Sequence, residues 1–306
     1  MHQHHSHDHS HSHSPVGMSR AFAIGVALNA GFVLIEVVFG VLSGSLALLA
    51  DAGHNLSDVL GLLLAWGANY LGRRKPTGRR TYGWGRTSIL AALINGVLLY
   101  VAVGAIAWEA ISRLSRPAPV APQTVIIVAA IGAVINTLTA LLFLSGRERD
   151  LNVRGAFLHM AADAAVSLGV VAGGIAISLT GQYWIDPALS LVVGAVIAYS
   201  TWDLLWHAVE LSLDTVPRGV DSAAVRTYLA GLAGVVAVHD LHIWGLSTTE
   251  TALTVHLVRP DAQVDDDWLH GITHELHARF GIDHATIQVE NGRGNSSCRL
   301  APDDVV

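Results

Sequence analysis

The chain has 306 residues, 52% of them hydrophobic and only 14% charged, which is too apolar for an ordinary soluble domain. Its net charge of −6 says little, because charge and hydropathy split by region, and no nucleic-acid partner is expected. The single cysteine, Cys298, excludes a disulfide framework and argues against a cysteine-based zinc site or a thiolate site for copper(I). It reads as a tail residue without a role.

Residues 1–19 are expected to be a disordered, histidine-rich tail. Seven of the seventeen histidines lie in MHQHHSHDHSHSHSP, which has no apolar core and so is not a signal peptide. They alternate with Ser, Gln and Asp where an expression tag has an unbroken run, which favours a native metal-capturing segment with nothing to bury.

A helix of about 20 apolar residues spans a bilayer. Six stretches qualify, at about 20–42, 46–71, 87–112, 122–144, 154–179 and 186–209, separated by breakers such as Ser43-Gly44-Ser45 and Thr180-Gly181-Gln182. The 72–86 loop carries Arg73, Arg74, Lys75, Arg79, Arg80 and Arg86, and the 145–154 loop carries Arg147, Arg149 and Arg154. The loops on the opposite side hold only Arg113 and Arg116, so both termini are expected in the cytoplasm, at the cell inner or plasma membrane.

After Asp214-Thr215-Val216-Pro217 the composition turns soluble. Asp221–Leu232 reads as a helix, Val235–Trp244 and Thr249–Val258 as strands, Asp265–Phe280 as a helix and Ala285–Val289 as a strand. The expectation is a membrane all-α fold, a six-helix transmembrane bundle over 20–211. A small α+β (αββαβ, ferredoxin-like) cytoplasmic domain follows over 212–290, with a polar tail at 291–306.

Inside the second and fifth stretches lie two i,i+4 pairs, His54 with Asp58 and His159 with Asp163. Residues at that spacing share one helix face, and ionisable groups at bilayer depth mark ion pathways. Two imidazoles and two carboxylates from two helices make the N/O ligand set that a tetrahedral cation of the zinc type takes. The ligands must shed protons to bind, so metal and protons compete, which is a physical basis for antiport. Asp51 either shares their face or orients His54. Glu36, seven residues after Asn29, reads as a proton relay or tuning group, or as a hydrogen-bonded packing residue; Asn95 and Asn136 read as helix-to-helix contacts.

These residues resemble the cation diffusion facilitator family, within it the zinc-exporting group with HxxxD on the second and fifth spans. The resemblance runs through GSLALLADAGHNLSD, TYGWGR, LHMAAD, VHDLHIW, LTVHLV and HATIQVE and covers nearly the whole chain. It implies a homodimer that alternates between inward and outward access and exports Zn2+ in exchange for H+. Zinc is the substrate and a candidate regulator, and no organic cofactor is implied. His54, where some relatives accepting cadmium have Asp, implies a zinc preference, with Co2+ and Cd2+ as further candidates. A loop metal site of some relatives is expected to be missing, since Arg80-Thr81-Tyr82-Gly83-Trp84 offers no usable ligands. His239 and His256 fall at cytosolic-site positions of the family, with Glu290 on the final strand. Gln288 stands there in place of a better ligand, which counts against a full binuclear site. Arg86 and Asp214 match charges that join the membrane and cytoplasmic halves, although Arg86 could equally reach lipid phosphate.

Two other functions use the same features. A membrane metalloenzyme would keep an open zinc position and a separate base, and four protein ligands without a nucleophile favour carriage. A zinc sensor or buffer would use the histidine tail and cytoplasmic domain, but leaves six spans unexplained.

Overall fold

The structure is a computed structural model, and it describes residues 20–72, 74–143, 151–260, 266–292 and Cys298. The histidine-rich tail, Arg73, Arg147, Arg149 and most of 291–306 lie outside the described residues. Six long helices come first: α1 (Arg20–Ser43), α2 (Leu46–Gly72), α3 (Thr87–Ser115), α4 (Pro122–Phe143), α5 (Leu151–Thr180) and α6 (Ile185–Ser212). Four segments among the described residues are long and apolar enough to cross a membrane. They are α3, Pro122–Leu141 of α4, Phe157–Thr180 of α5, and α6, with mean hydropathy between 1.6 and 2.4. In α1 the apolar described stretch is the shorter Asn29–Ser43, and α2 carries Asp51, His54, Asn55 and Asp58 in its interior.

The helix ends depart from the sequence expectation at one informative place. α5 begins at Leu151, so Arg154 belongs to a helix and not to the connecting loop. The density of basic residues suggested a loop, but arginine is a strong helix former and no proline interrupts Leu-Asn-Val-Arg.

The chain forms two compact units, Met1–Val59 with Ile106–Val193, and Leu60–Ala105 with Gly194–Val306. In the first, α5 packs along α4, and α4 on α1. Gly174 of α5 makes the first contact possible, since a Cβ there would stand 2.8 Å from Ile126 Cγ1.

The start of α2 is fixed by Asp186 near the start of α6. Gly44 turns the chain with φ +71°. Ser45 Oγ then accepts from Leu48 N at 3.1 Å, as a helix N-cap does. The buried Asp186 carboxylate accepts from Ser45 Oγ (2.5 Å), Leu46 N (2.8 Å) and Ala47 N (3.4 Å). An anion at a helix N-terminus meets both unpaired amides and the positive end of the helix dipole. From the far side, Arg113 Nη1 donates to Gly44 O at 2.7 Å.

The second unit carries the C-terminal elements in the order α7 (Ser222–Ala230), β1 (Ala237–Gly245), β2 (Thr251–Val258), α8 (Asp266–Phe280) and β3 (His284–Glu290). This is the αββαβ order read from the sequence. β2 is central, antiparallel to β1 and parallel to β3. α7 is shorter than expected because Asp221 is its N-cap, accepting from Ala223 N and Ala224 N at 3.0 Å each. Leu253, Val255 and Leu257 alternate on one face of β2 and meet Val225 and Leu229 of α7 and Ile272 and Leu276 of α8. The opposite face of that row carries Thr254 and His256. β1 bulges between His239 and His242, where Asp240 takes a left-handed φ of 50°.

Replacing Asp186 by Ala leaves the amides of Leu46 and Ala47 and the Ser45 hydroxyl buried without an acceptor. The expected loss is about 1–3 kcal/mol, read as a lower melting temperature of the detergent-solubilised protein. An unchanged melting temperature would show that α2 does not depend on this cap.

Candidate metal transport site

His54 and Asp58 lie one turn apart on α2, His159 and Asp163 one turn apart on α5, and both pairs fall in the first unit. Their polar atoms meet. His54 Nε2 stands 3.1 Å from Asp163 Oδ1 and 3.7 Å from Asp58 Oδ2. His159 Nε2 stands 3.3 Å from Asp58 Oδ2 and 3.6 Å from Asp163 Oδ2. Each imidazole therefore faces both carboxylates, and the two rings sit edge to face with centroids 5.8 Å apart. One ligating atom each from His54, His159 and Asp163 lies within 4.8 Å of the others.

The four are unequally enclosed. Asp163 and His54 are buried, whereas the side chains of His159 and Asp58 are 44% and 31% exposed. One wall is closed and the other open. Asp58 Oδ2 and Asp163 Oδ2 are buried with no hydrogen-bond donor among the described residues, and His54 Nδ1 has no partner either. Buried acceptors without donors are rare in folded proteins and call for an ion or water.

The accessory residues stand apart from this cluster. Asp51 accepts from Ser167 Oγ at 2.9 Å, and Glu36 accepts from Asn55 Nδ2 at 2.9 Å. Both carboxyls are fully buried. Asn29 is half-buried on α1 and outside the cluster. Ser167 and Asn55 were not singled out from the sequence, although each lies within one turn of a ligand. Asn136 is buried on α4, and Asn95 on α3 lies against Gly61 of α2.

A second constellation lies on the C-terminal domain. His239 of β1 is directly opposite His256 of β2. Glu290 Oε1 is 3.0 Å from His256 Nδ1 and 3.5 Å from His239 Nε2. Cys298 Sγ approaches His256 Nδ1 at 3.6 Å, and one ligating atom from each of the four lies within 4.8 Å of the rest. Cys298, read from the sequence as a tail residue, therefore stands beside the histidines of the sheet. Cys298 is the eighth residue after the end of β3, and nothing in that spacing shows that it meets His256. His239 is 7% exposed and its Nε2 has no hydrogen-bond partner. Asp240 was also missed; it holds the far side of His256, with Oδ2 3.4 Å from Nε2, as a carboxylate orients a metal-binding imidazole. Gln288 points its amide at Glu290 Oε1, at 3.0 Å. On α8, His277 Nδ1 lies 3.4 Å from Asp283.

Arg86 donates to Asp214, which has a left-handed φ of 57°. Both side chains are about half exposed, so the pair is worth less than about 1 kcal/mol of stability. In the loop after α2, the Arg80 guanidinium lies 3.7 Å over the Trp84 ring, and Tyr82 packs edge-on against His284.

Residues 22–211 match the cation efflux transmembrane domain, and residues 217–292 match the cytoplasmic domain of cation efflux proteins. The chain belongs to the cation efflux, or cation diffusion facilitator, family. It is 40% identical over 271 residues to the zinc transporter ZitB of Escherichia coli, covering 88% of this chain and 86% of that one. It is 38% identical over 277 residues to the metal cation efflux system protein CzcD of Cupriavidus metallidurans, covering 90% and 88%. It is 35% identical over 281 residues to the cadmium, cobalt and zinc/H(+)-K(+) antiporter of Bacillus subtilis, covering 90% of each. The protein is an integral membrane transporter of metal cations and not an enzyme.

Proposed function

We propose that this transporter exports Zn2+ from the cytoplasm in exchange for H+, as a homodimer with six spans per protomer and both termini in the cytoplasm. Zinc is the substrate, held by His54, Asp58, His159 and Asp163. The observation that carries the reading is the set of four N···O separations, between 3.1 and 3.7 Å. A tetrahedral zinc with bonds of about 2.0–2.1 Å has ligand edges of roughly 3.3 Å, so His54, His159 and Asp163 need small movements to close on the ion and Asp58 a larger one. The ion satisfies the orphan oxygens of Asp58 and Asp163. The exposed edges of His159 and Asp58 give it an entrance. Binding requires neutral imidazoles and ionised carboxylates, so protons arriving from the other side displace the cargo. The names of the relatives, a zinc transporter and a cadmium, cobalt and zinc/H(+)-K(+) antiporter, support zinc as cargo and protons as a coupling ion.

The second constellation supports a regulatory role. Cys298, His239, His256 and Glu290 fit zinc by donor type, and the buried, unpartnered His239 Nε2 is the atom that calls for it. A metal that binds one state of the C-terminal domain stabilises that state by mass action.

Asp163→Ala removes the most buried ligand and is expected to abolish zinc uptake by inside-out vesicles while the dimer stays folded. Flux at the parent level would defeat the transport-site assignment. His54→Asp places there the carboxylate of the relatives that accept cadmium and is expected to raise the cadmium-to-zinc uptake ratio; an unchanged ratio would remove His54 from selectivity. The double variant His239→Ala/His256→Ala in the full chain is expected to lose zinc-dependent thermal stabilisation at the C-terminal site. It should need more cytoplasmic zinc for half-maximal flux. The same zinc dependence in parent and variant would leave the domain without a sensing role.

A further inference from the structure

The exchanged proton needs a place to sit, and the four ligands are not the only candidates. Behind them, Glu36 of α1 and Asp51 of α2 lie against each other at 0% exposure. Each carboxyl has one oxygen satisfied, Glu36 Oε2 by Asn55 Nδ2 and Asp51 Oδ2 by Ser167 Oγ. The other two oxygens, Glu36 Oε1 and Asp51 Oδ1, have no donor among the described residues. No lysine or arginine occurs in 21–72, 122–143 or 155–180, the segments from which α1, α2, α4 and α5 could supply one. Against Glu36, α4 presents Gly132, where a Cβ would stand 3.5 Å from Oε1 and 2.7 Å from Phe32 Cζ. Among the described residues the titratable groups that act on Asp51 are Glu36, His54 and Asp163, and Asp51 acts on Glu36.

Two carboxylates side by side, without solvent or a cation, are too costly to be both ionised. The pair thus has two buried acceptor oxygens, one on each carboxyl, and lacks a donor for either among the described residues. A single hydrogen between the two carboxyls supplies it, leaving every oxygen of the pair with a partner.

We propose that Glu36 and Asp51 form a proton-holding site distinct from the metal ligands, and that zinc entry expels the proton it holds. This rests on the transport-site reading given above. The coupling is built into the helices. Asp51 is three residues before His54, and Asn55 is the next residue after it. Ser167 is one turn after Asp163 on α5. The donors that position the two carboxyls thus ride on the same two helices as the ligands. A dication between His54 and Asp163 favours an anionic Asp51, and a proton returning to the pair opposes the dication.

The test is a count of protons released on zinc binding. The detergent-solubilised full chain is titrated with zinc in buffers of different ionisation enthalpy. Glu36→Gln and Asp51→Asn are expected to release about one proton fewer per zinc than the parent, with zinc affinity kept within a few-fold. Glu36→Asp, which can still share a proton, is expected to release the parental number and guards against a variant that fails to fold. In proteoliposomes, Asp51→Asn should flatten the dependence of zinc flux on pH. A parental proton count and pH profile in both Glu36→Gln and Asp51→Asn would overturn the proposal. That result alongside a dead Asp163→Ala would sink the proton site alone, whereas full flux in Asp163→Ala would sink the transport-site reading first.

Discussion

Four carboxyl groups in one helical unit, Glu36, Asp51, Asp163 and Asp186, are 2% exposed or less, and the unit is arranged around making them tolerable. A buried charge is costly unless it is paired and hydrogen-bonded. Each is relieved differently. Asp186 is met by the amides that begin α2, Asp163 by the His54 imidazole, and Glu36 and Asp51 by one side-chain donor each. The first solution is permanent. The others depend on what else is present, which is what a site that takes up and gives up cations requires. The same unit holds the static anchor at the first turn of α2 and gathers the other three carboxyls around the turns that follow.

How legible this was follows from the range of each interaction. The meeting of His54, Asp58, His159 and Asp163 could be read because both halves of the signal are local. A spacing of four residues fixes a shared helix face, and matching pairs on two helices imply a meeting. The αββαβ order was equally local, resting on alternation and turn residues. Asp186 was opaque, since its partners lie about 140 residues away and an aspartate at a helix start looks like an ordinary cap. Cys298 was opaque for the opposite reason, because a lone cysteine near a chain end carries no periodicity. The Glu36–Asp51 contact needed the packing of α1 on the same unit, which hydropathy does not encode. The start of α5 was misplaced because a run of arginines favours loops and helix ends alike.

The C-terminal domain shows how sheet register can do chemical work. His256 is opposite His239 on one side and Gln288 on the other, while Leu253, Val255 and Leu257 of the same strand fill the core. A slip of one residue would put His256 into the apolar layer and a leucine beside His239, so core formation itself enforces the meeting of the imidazoles. The bulge at Asp240 then spends one irregular residue to bring a carboxylate behind His256, where regular alternation would have turned it away.

The clamp at the start of α2 also limits how this helix can move. Three bonds from Asp186, with Arg113 on the preceding carbonyl, hold its first turn, while no comparable set is found at its far end among the described residues. A rod held at one end behaves as a lever. At about 1.5 Å per residue, a swing of roughly 10° about Ser45 carries His54 about 2 Å and Gly72 about 7 Å. On that pivot His54 and Asp58 would sit on the short arm, where a small swing changes their distances to His159 and Asp163 of α5 by only about an ångström or two. The long arm turns the same angle into a displacement of several ångströms.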